Sequence, residues 1–305
     1  MIEIATIADS VPLPPSPMGW FDYGYTALAD GRLALIRTSK DIHAKHMRWG
    51  DAGMRLSIFD GAAETDVTVV SSGTHPKVDR LADGRWLVAG SRAKEGEKNG
   101  RIHAVDGRVE HTMSLGDGIE SILCSVDGTI WVGYFDEGVF GGPNKDGSWP
   151  VSSGGIVQFS ASGTPLWSFN EQVSENHSIA DSYAMTLSGT DLWACFYTDF
   201  PITRVSGGKP VFWSNNVAGA TAIAVKDDIV MLGGGYGEDV NRITVVKLDS
   251  KSSRELGVFR YDQGKRGAAG LIQGRGGVIH IVSDGVWSKV PVYKAAQALG
   301  GRRDQ

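Results

Sequence analysis

Two segments of the chain, WVGYFDEGVFG at 131–141 and WACFYTDFP at 193–201, each set a tyrosine two positions before an acid: Tyr134 before Asp136, Tyr197 before Asp199. In both, the pair falls where an apolar run gives way to polar residues. A carboxylate beside an aromatic ring suits a polar small molecule, because the ring stacks while the acid accepts hydrogen bonds or moves a proton. The same groups also have a purely architectural use, in which the acids cap loop N–H groups and the rings pack between sheets. Further groups with chemical potential are spread along the chain. His75 lies in GTHPKVD and His177 in ENHSIADSY, and either could exchange a proton near neutral pH or serve as a hydrogen-bonded loop residue. Asp181 and Glu120 are hard oxygen donors, Arg92 and Arg266 could neutralise a sugar carboxylate, and Tyr236 offers another stacking surface.

These residues are far apart in sequence, so a repeated scaffold must gather them. Six times an apolar run meets a Gly or Asp turn and a second apolar run follows: DGRLALIRTSKD from Asp30, DGRWLVAGSRAK from Asp83, DGTIWVGYFDEG from Asp127, GTDLWACFYTDF from Gly189, DDIVMLGGGYGE from Asp227 and GGVIHIVSDGVW from Gly276. The turns recur every 39 to 61 residues, with a mean of 49. That period suits a four-stranded propeller blade of roughly 40–50 residues. Outer strand pairs follow several hairpins, as in MRLSIFDG with ETDVTVV, GGIVQFSASG with TPLWSFN, and RITVVKLDS with RELGVFRYD. The last unit lacks an outer strand, because the Ala-rich AAQALGGRRDQ does not suit one, and the N-terminal IEIATIA is expected to fill its place. The fold class is therefore all-β, a six-bladed β-propeller closed by an N-terminal strand. One domain is expected over 1–295, with a C-terminal tail at 296–305. The polar stretches 93–100 and 141–155 read as loops within a blade.

In a propeller, the loops leading into first strands and those leaving second strands share one face. On that face the pattern puts Lys77, Asp79, Glu120, Asp181, Lys265 and Arg266 at the entries to first strands. It puts Arg92, Tyr134, Asp136, Glu137, Tyr197, Asp199, Tyr236, Glu238, Asp239 and Asp284 after second strands, with His43 and His46 in a long loop of the first blade. The acids thus collect on one rim. His280 falls inside a strand and reads as core, as do Cys124 and Cys195, which lack metal spacing.

The hairpin DGTIWVGYF resembles the blades of bacterial regulator-type and related six-bladed propellers, and YFDEGVFG with YTDFP resembles a set of bacterial propeller proteins. The wider six-bladed group includes calcium-dependent lactonases similar to senescence marker protein, where a Glu of the first blade and Asn and Asp of later blades hold the metal. The resemblance implies Glu120, Asp181 and Asn176 or Asn216 as ligands, with calcium as the metal. Gly24 stands where that family has its first-blade Glu, a departure from the pattern.

A formal charge of -5 and the lack of any basic run argue against nucleic acid. No apolar stretch of about 18 residues and no ordinary signal peptide is present, so a cytoplasmic protein without membrane contact is expected, and a monomer. There is no G-x-S-x-G, Walker or H-E-x-x-H motif, and GGGYGE at 233–238 lacks a helix to receive a phosphate. The function expected is a polar pocket for a sugar or sugar-acid derivative, with metal-assisted hydrolase (lactonase) or lyase chemistry. In it Asp181, His75 and His177 are the catalytic candidates, Glu120 and Asp181 the metal ligands, and Arg92, Glu120, Tyr134, Asp136, Tyr197, Asp199, Tyr236 and Arg266 the ligand contacts. The alternative is a non-catalytic propeller that presents its rim to a protein partner.

Overall fold

The structure, a computed structural model, describes residues 2–40, 53–62, 64–70, 74–262, 264 and 270–300. The chain opens with β1 (Ile2–Glu3) and β2 (Asp9–Pro12). Six sheets follow, each of four strands and one extended by a fifth, the blades of a six-bladed β-propeller. The chain divides into two compact units, Pro15–Ser182 and Met1–Pro14 with Tyr183–Gln305.

The Pro15–Ser182 unit holds three blades. The first is β3 (Phe21–Ala27), β4 (Leu33–Thr38), β5 (Gly53–Phe59) and β6 (Glu64–Val70). The second is β7 (Pro76–Arg80), β8 (Trp86–Gly90), β9 (Gly100–His103) and β10 (Val109–Met113). The third is β11 (Ile119–Cys124), β12 (Ile130–Tyr134), then after a one-turn helix α1 (Asp136–Val139) β13 (Ile156–Phe159) and β14 (Pro165–Ser168). The hairpins between first and second strands share one device. Asp30, Asp83 and Asp127 each accept the N–H of the residue two further on, at 3.0–3.1 Å, while the next residue, Gly31, Gly84 or Gly128, takes the left-handed backbone that the turn demands.

Strand β8 shows why the second strands read as unbroken apolar runs. Trp86 and Val88 enter a cluster with Ile36, Leu56 and Val78, whereas Leu87 and Ala89 enter another with Ile122, Val132 and Phe159. A strand covered on both faces has no solvent side, so its alternation becomes apolar against apolar. Burying each such side chain stabilises the fold by about 1.5–3 kcal/mol.

The second unit holds β15 (Asp181–Ser188, whose first two residues fall in the other unit), β16 (Asp191–Tyr197), β17 (Ile202–Ser206) and β18 (Lys209–Trp213). Next come β19 (Ala222–Lys226), β20 (Ile229–Gly233), β21 (Arg242–Leu248) and β22 (Ser253–Arg260), then β23 (Leu271–Arg275), β24 (Val278–Ser283) and β25 (Val286–Pro291). Closure differs in detail from the expectation. The outer strand of the last blade is β2, running antiparallel to β25 from Asp9 opposite Lys289 to Pro12 opposite Val286. β1 instead adds a fifth, parallel strand beside β22. The apolar IEIATIA segment makes a single 3-10 turn over Ile4–Thr6 between these two strands, burying Ile4 with Phe259, Val290 and Val292. Its hydrophobicity serves that core, and the pairing falls to DSVP.

The described part of the tail, to Gly300, is helical. In α2 (Val292–Gly300), Val292 and Ala295 are buried and Ala298 and Leu299 pack against the same cluster, a spacing that only a helix can turn to one side. Both cysteines are buried, and burial pushes the Cys195 thiol up to about 12. His280 is buried in β24, where its Nδ1 accepts the Trp287 Nε1–H at 3.2 Å and burial holds its pKa down to about 4. No helix among the described residues is long and apolar enough to cross a membrane.

Candidate functional site

In the Pro15–Ser182 unit the first strands β7 and β11 lie side by side, and alternate residues of β7 reach toward β11. Asp79, fully buried, accepts the Cys124 N–H at 2.6 Å and the Arg80 N–H at 2.8 Å, stapling the two strands. This acid, placed on the rim by the sequence pattern, is structural. Two residues earlier, Lys77 Nζ stands 3.9 Å from Glu120 Oε1. The Glu120 carboxyl is raised above its ordinary range because burial outweighs the attraction of Lys77.

The turn after β12 brings in two more acids. Phe135 N–H donates to Gly118 O at 2.8 Å, and α1 starts at once with Asp136 and Glu137. The helix turn lies directly on the backbone before β11. A Cβ at Gly138 would sit 2.5 Å from the Asp117 carbonyl oxygen, and one at Gly118 would sit 2.4 Å from Gly138 Cα. Only two glycines permit that approach, and it carries Asp136 and Glu137 into the neighbourhood of Asp181 at the start of β15. The half-buried Asp181 carboxyl is raised from 3.8 to about 6, first by burial and then by the negative charges of Asp136, Glu120 and Glu137. Asp181 thus feels three other carboxylates, of which Glu120 stands near Lys77 and Glu137 acts on Arg92. A carboxyl held near 6 exchanges its proton near neutral pH, the property of a general acid or base.

The other candidates in this unit are placed differently. Tyr134, expected to wall the site, is fully buried in the core cluster and its hydroxyl donates to the Leu115 carbonyl. Arg92 is exposed, but its guanidinium is bound bidentately by Asp117, at 2.9 and 3.0 Å, and lies over the Phe135 ring, which removes it as a receptor for a sugar carboxylate. His75 and His177 occupy exposed loop positions. The His75 carbonyl accepts from Ser91 Oγ at 2.8 Å, and His177 Nδ1 lies 3.4 Å from Ser174 Oγ. Neither imidazole is among the charges that act on Asp181. Arg266, Lys265, His43 and His46 lie outside the described residues.

In the other unit Tyr197, Asp199 and Tyr236 belong to an aromatic group. Phe200, buried, meets Tyr183, Tyr197 and Tyr236 at ring centroid distances of 5.1, 5.8 and 6.0 Å. The Tyr183 and Tyr236 hydroxyls are 2.7 Å apart. Tyr197 and Tyr236 keep 48% and 55% of their surface exposed, and Asp199 is exposed with φ +65°. Phe200, which sequence reasoning missed, is the hub. Its signal was the apolar residue directly after the Tyr-x-Asp motif.

Among the described residues no three His, Cys, Asp or Glu side chains converge as metal ligands, so Glu120 and Asp181 lack a third such partner.

No family model matches the chain, and no curated protein matches it. Solved structures share the fold. One is a putative 6-phosphogluconolactonase from Bacteroides uniformis, 13% identical, covering 89% of this chain and 83% of its own, with a TM-score of 0.50. A protein from Lactobacillus plantarum is 14% identical over 82% of this chain and 74% of its own, TM-score 0.48. The extracellular domain of a putative hybrid two component system from B. thetaiotaomicron is 11% identical over 92% of this chain, TM-score 0.45, and this chain spans 42% of its length. At such identities the likeness shows the six-bladed propeller and nothing of the chemistry.

Proposed function

We propose that the protein binds a small polar ligand of the sugar class at the acidic group of the Pro15–Ser182 unit, with Asp181 exchanging the proton. The observation that supports this reading is the Asp181 carboxyl raised to about 6 by burial and by three carboxylates. Among the described residues the four carboxylates outnumber the cations that act on them, Lys77 and the Asp117-bound Arg92, so the group disfavours anions and suits a neutral ligand, a sugar or sugar lactone rather than a sugar phosphate. The solved putative 6-phosphogluconolactonase gives lactone opening a weak precedent on this fold. In that chemistry the ionised Asp181 takes a proton from water as the water oxygen bonds to the lactone carbonyl carbon. The ring C–O bond then breaks, and the departing oxygen recovers a proton to give the open hydroxy acid.

Hydrolysis of δ-gluconolactone, followed by proton release, tests this. Wild type is expected to accelerate opening with a rate that rises through about pH 6, and Asp181→Asn to lower kcat 100-fold or more. Lactone opening at the uncatalysed rate in wild type, or an unchanged rate in the variant, overturns the reading. A second reading, a non-catalytic interaction propeller, draws support from the exposed rings of Tyr197 and Tyr236.

A further inference from the structure

A cleft of about 360 Å³ opens within the Pro15–Ser182 unit, between the loop that follows β8 and the segment from α1 to β13. Its size falls in the range of small-ligand pockets, about 300–1,000 Å³. The two walls are tied together by Glu95, whose carboxylate accepts the Lys145 N–H at 3.2 Å and lies 4.0 Å from Lys145 Nζ. The cleft floor is likewise tied, because Asp117 is taken up by Arg92 and by the Ala93 N–H at 2.8 Å. With those charges paired, the lining keeps Lys94 against Glu137 and Asp146, a surplus of one negative charge that disfavours anions.

What remains are separate donors and acceptors. Lys94, Ser114 and Glu137 line the cleft, and none of their side chains makes a hydrogen bond or an ion pair within 4.0 Å among the described residues. Hydroxyl groups of a ligand can accept from the first, do both with the second and donate to the third. The rim adds apolar surface. Phe140 and Trp149, each bonded to a lining residue (Gly141 and Pro150), are 69% and 68% exposed. Large aromatic rings left in water beside a polar cleft offer a plane for the C–H face of a sugar ring.

We infer that this cleft is a binding site for a neutral oligosaccharide, held by Lys94, Ser114 and Glu137 and stacked on Trp149. The inference deepens the reading above and rests on it for the sugar class, since Glu137 both lines the cleft and acts on Asp181. Its position explains how one ligand could reach both.

Isothermal titration of the full chain with maltotriose, cellotriose and xylotriose, and with trigalacturonate as the anionic comparison, tests it. At least one neutral trisaccharide is expected to bind, with trigalacturonate tenfold weaker or worse. Trp149→Ala and Lys94→Ala, both at exposed positions and checked for an unchanged melting temperature, are each expected to weaken binding at least tenfold. No binding of any neutral trisaccharide at 10 mM, or equal affinity in both variants, overturns the proposal. The trisaccharides contain no lactone, so the two readings fail separately. Trisaccharide binding without lactone opening removes only the Asp181 chemistry, and lactone opening without trisaccharide binding removes only the cleft.

Discussion

The third blade and the β15–β18 blade leave their second strands through closely similar sequences and arrive at opposite chemistry. After β12 the chain turns into α1, and carboxylates gather around Asp181. After β16 it turns through Asp199 and Phe200, both at positive φ, and aromatic rings gather around Phe200. The register explains the divergence. Trp131 and Trp193 hold the same place in the ladder with their third strands, the second of four pairs, and in both blades the residue three further on, Tyr134 or Phe196, is fully buried. Tyr197 is one position later and so faces the other way, exposed. The two Tyr-x-Asp motifs are therefore out of step by one residue, and in a strand one residue exchanges the faces.

The largest test of that contrast is Phe200→Ala. If the ring is the hub of its group, the variant loses about 3–5 kcal/mol by denaturant unfolding, together with near-ultraviolet dichroism from the tyrosines. A loss below about 1 kcal/mol would mean that the tyrosines hold one another without it.

Gly138→Ala probes the other blade. The added methyl meets the Asp117 carbonyl oxygen, so α1 must shift, at a cost of about 1–3 kcal/mol. As Asp136 and Glu137 move away, the Asp181 pKa, followed by carboxyl carbon NMR, is expected to fall from about 6 toward the ordinary range. An unchanged value would show that burial and Glu120 raise it without them.

The smallest effect is on stability in Asp181→Asn. Because the folded-state pKa lies above 3.8, the folded protein holds this proton more tightly than the unfolded chain. The stabilisation is complete below about pH 4 and lost as the pH rises through about 6. The variant is therefore expected to match wild type at pH 4 and to exceed it at pH 7.5 by about 1 kcal/mol, after allowance for solvent screening of a half-exposed group. Equal stability at both values would mean that Asp136, Glu120 and Glu137 do not press on Asp181.

Much of the fold was legible along the chain. The Asp-Gly hairpins were readable because their chemistry is local: an aspartate accepts an N–H two residues away and a glycine takes the positive φ. The outer pairs β5 with β6, β13 with β14 and β21 with β22 were readable from alternation. The closing strand was readable as an event but not in its register, since IEIATIA looks more like a strand than DSVP does. The apolar residues there answer to the core beneath them, and backbone pairing asks little of side chains.

The site divides in the same way. Sequence by itself determined the repeat, the six blades and the burial of Cys124, Cys195 and His280, because each follows from the period of a strand or the polarity of one residue. Tertiary structure alone decided which acids are used up and which stay chemically poised. Asp79 is spent on the Cys124 N–H, Asp117 on Arg92 and Glu95 on Lys145, while Asp136, Glu120 and Glu137 press on Asp181. The physical reason is that a carboxylate's proton affinity depends on burial and on charges a few ångströms away, and those neighbours come from strands that lie tens of residues apart in the chain.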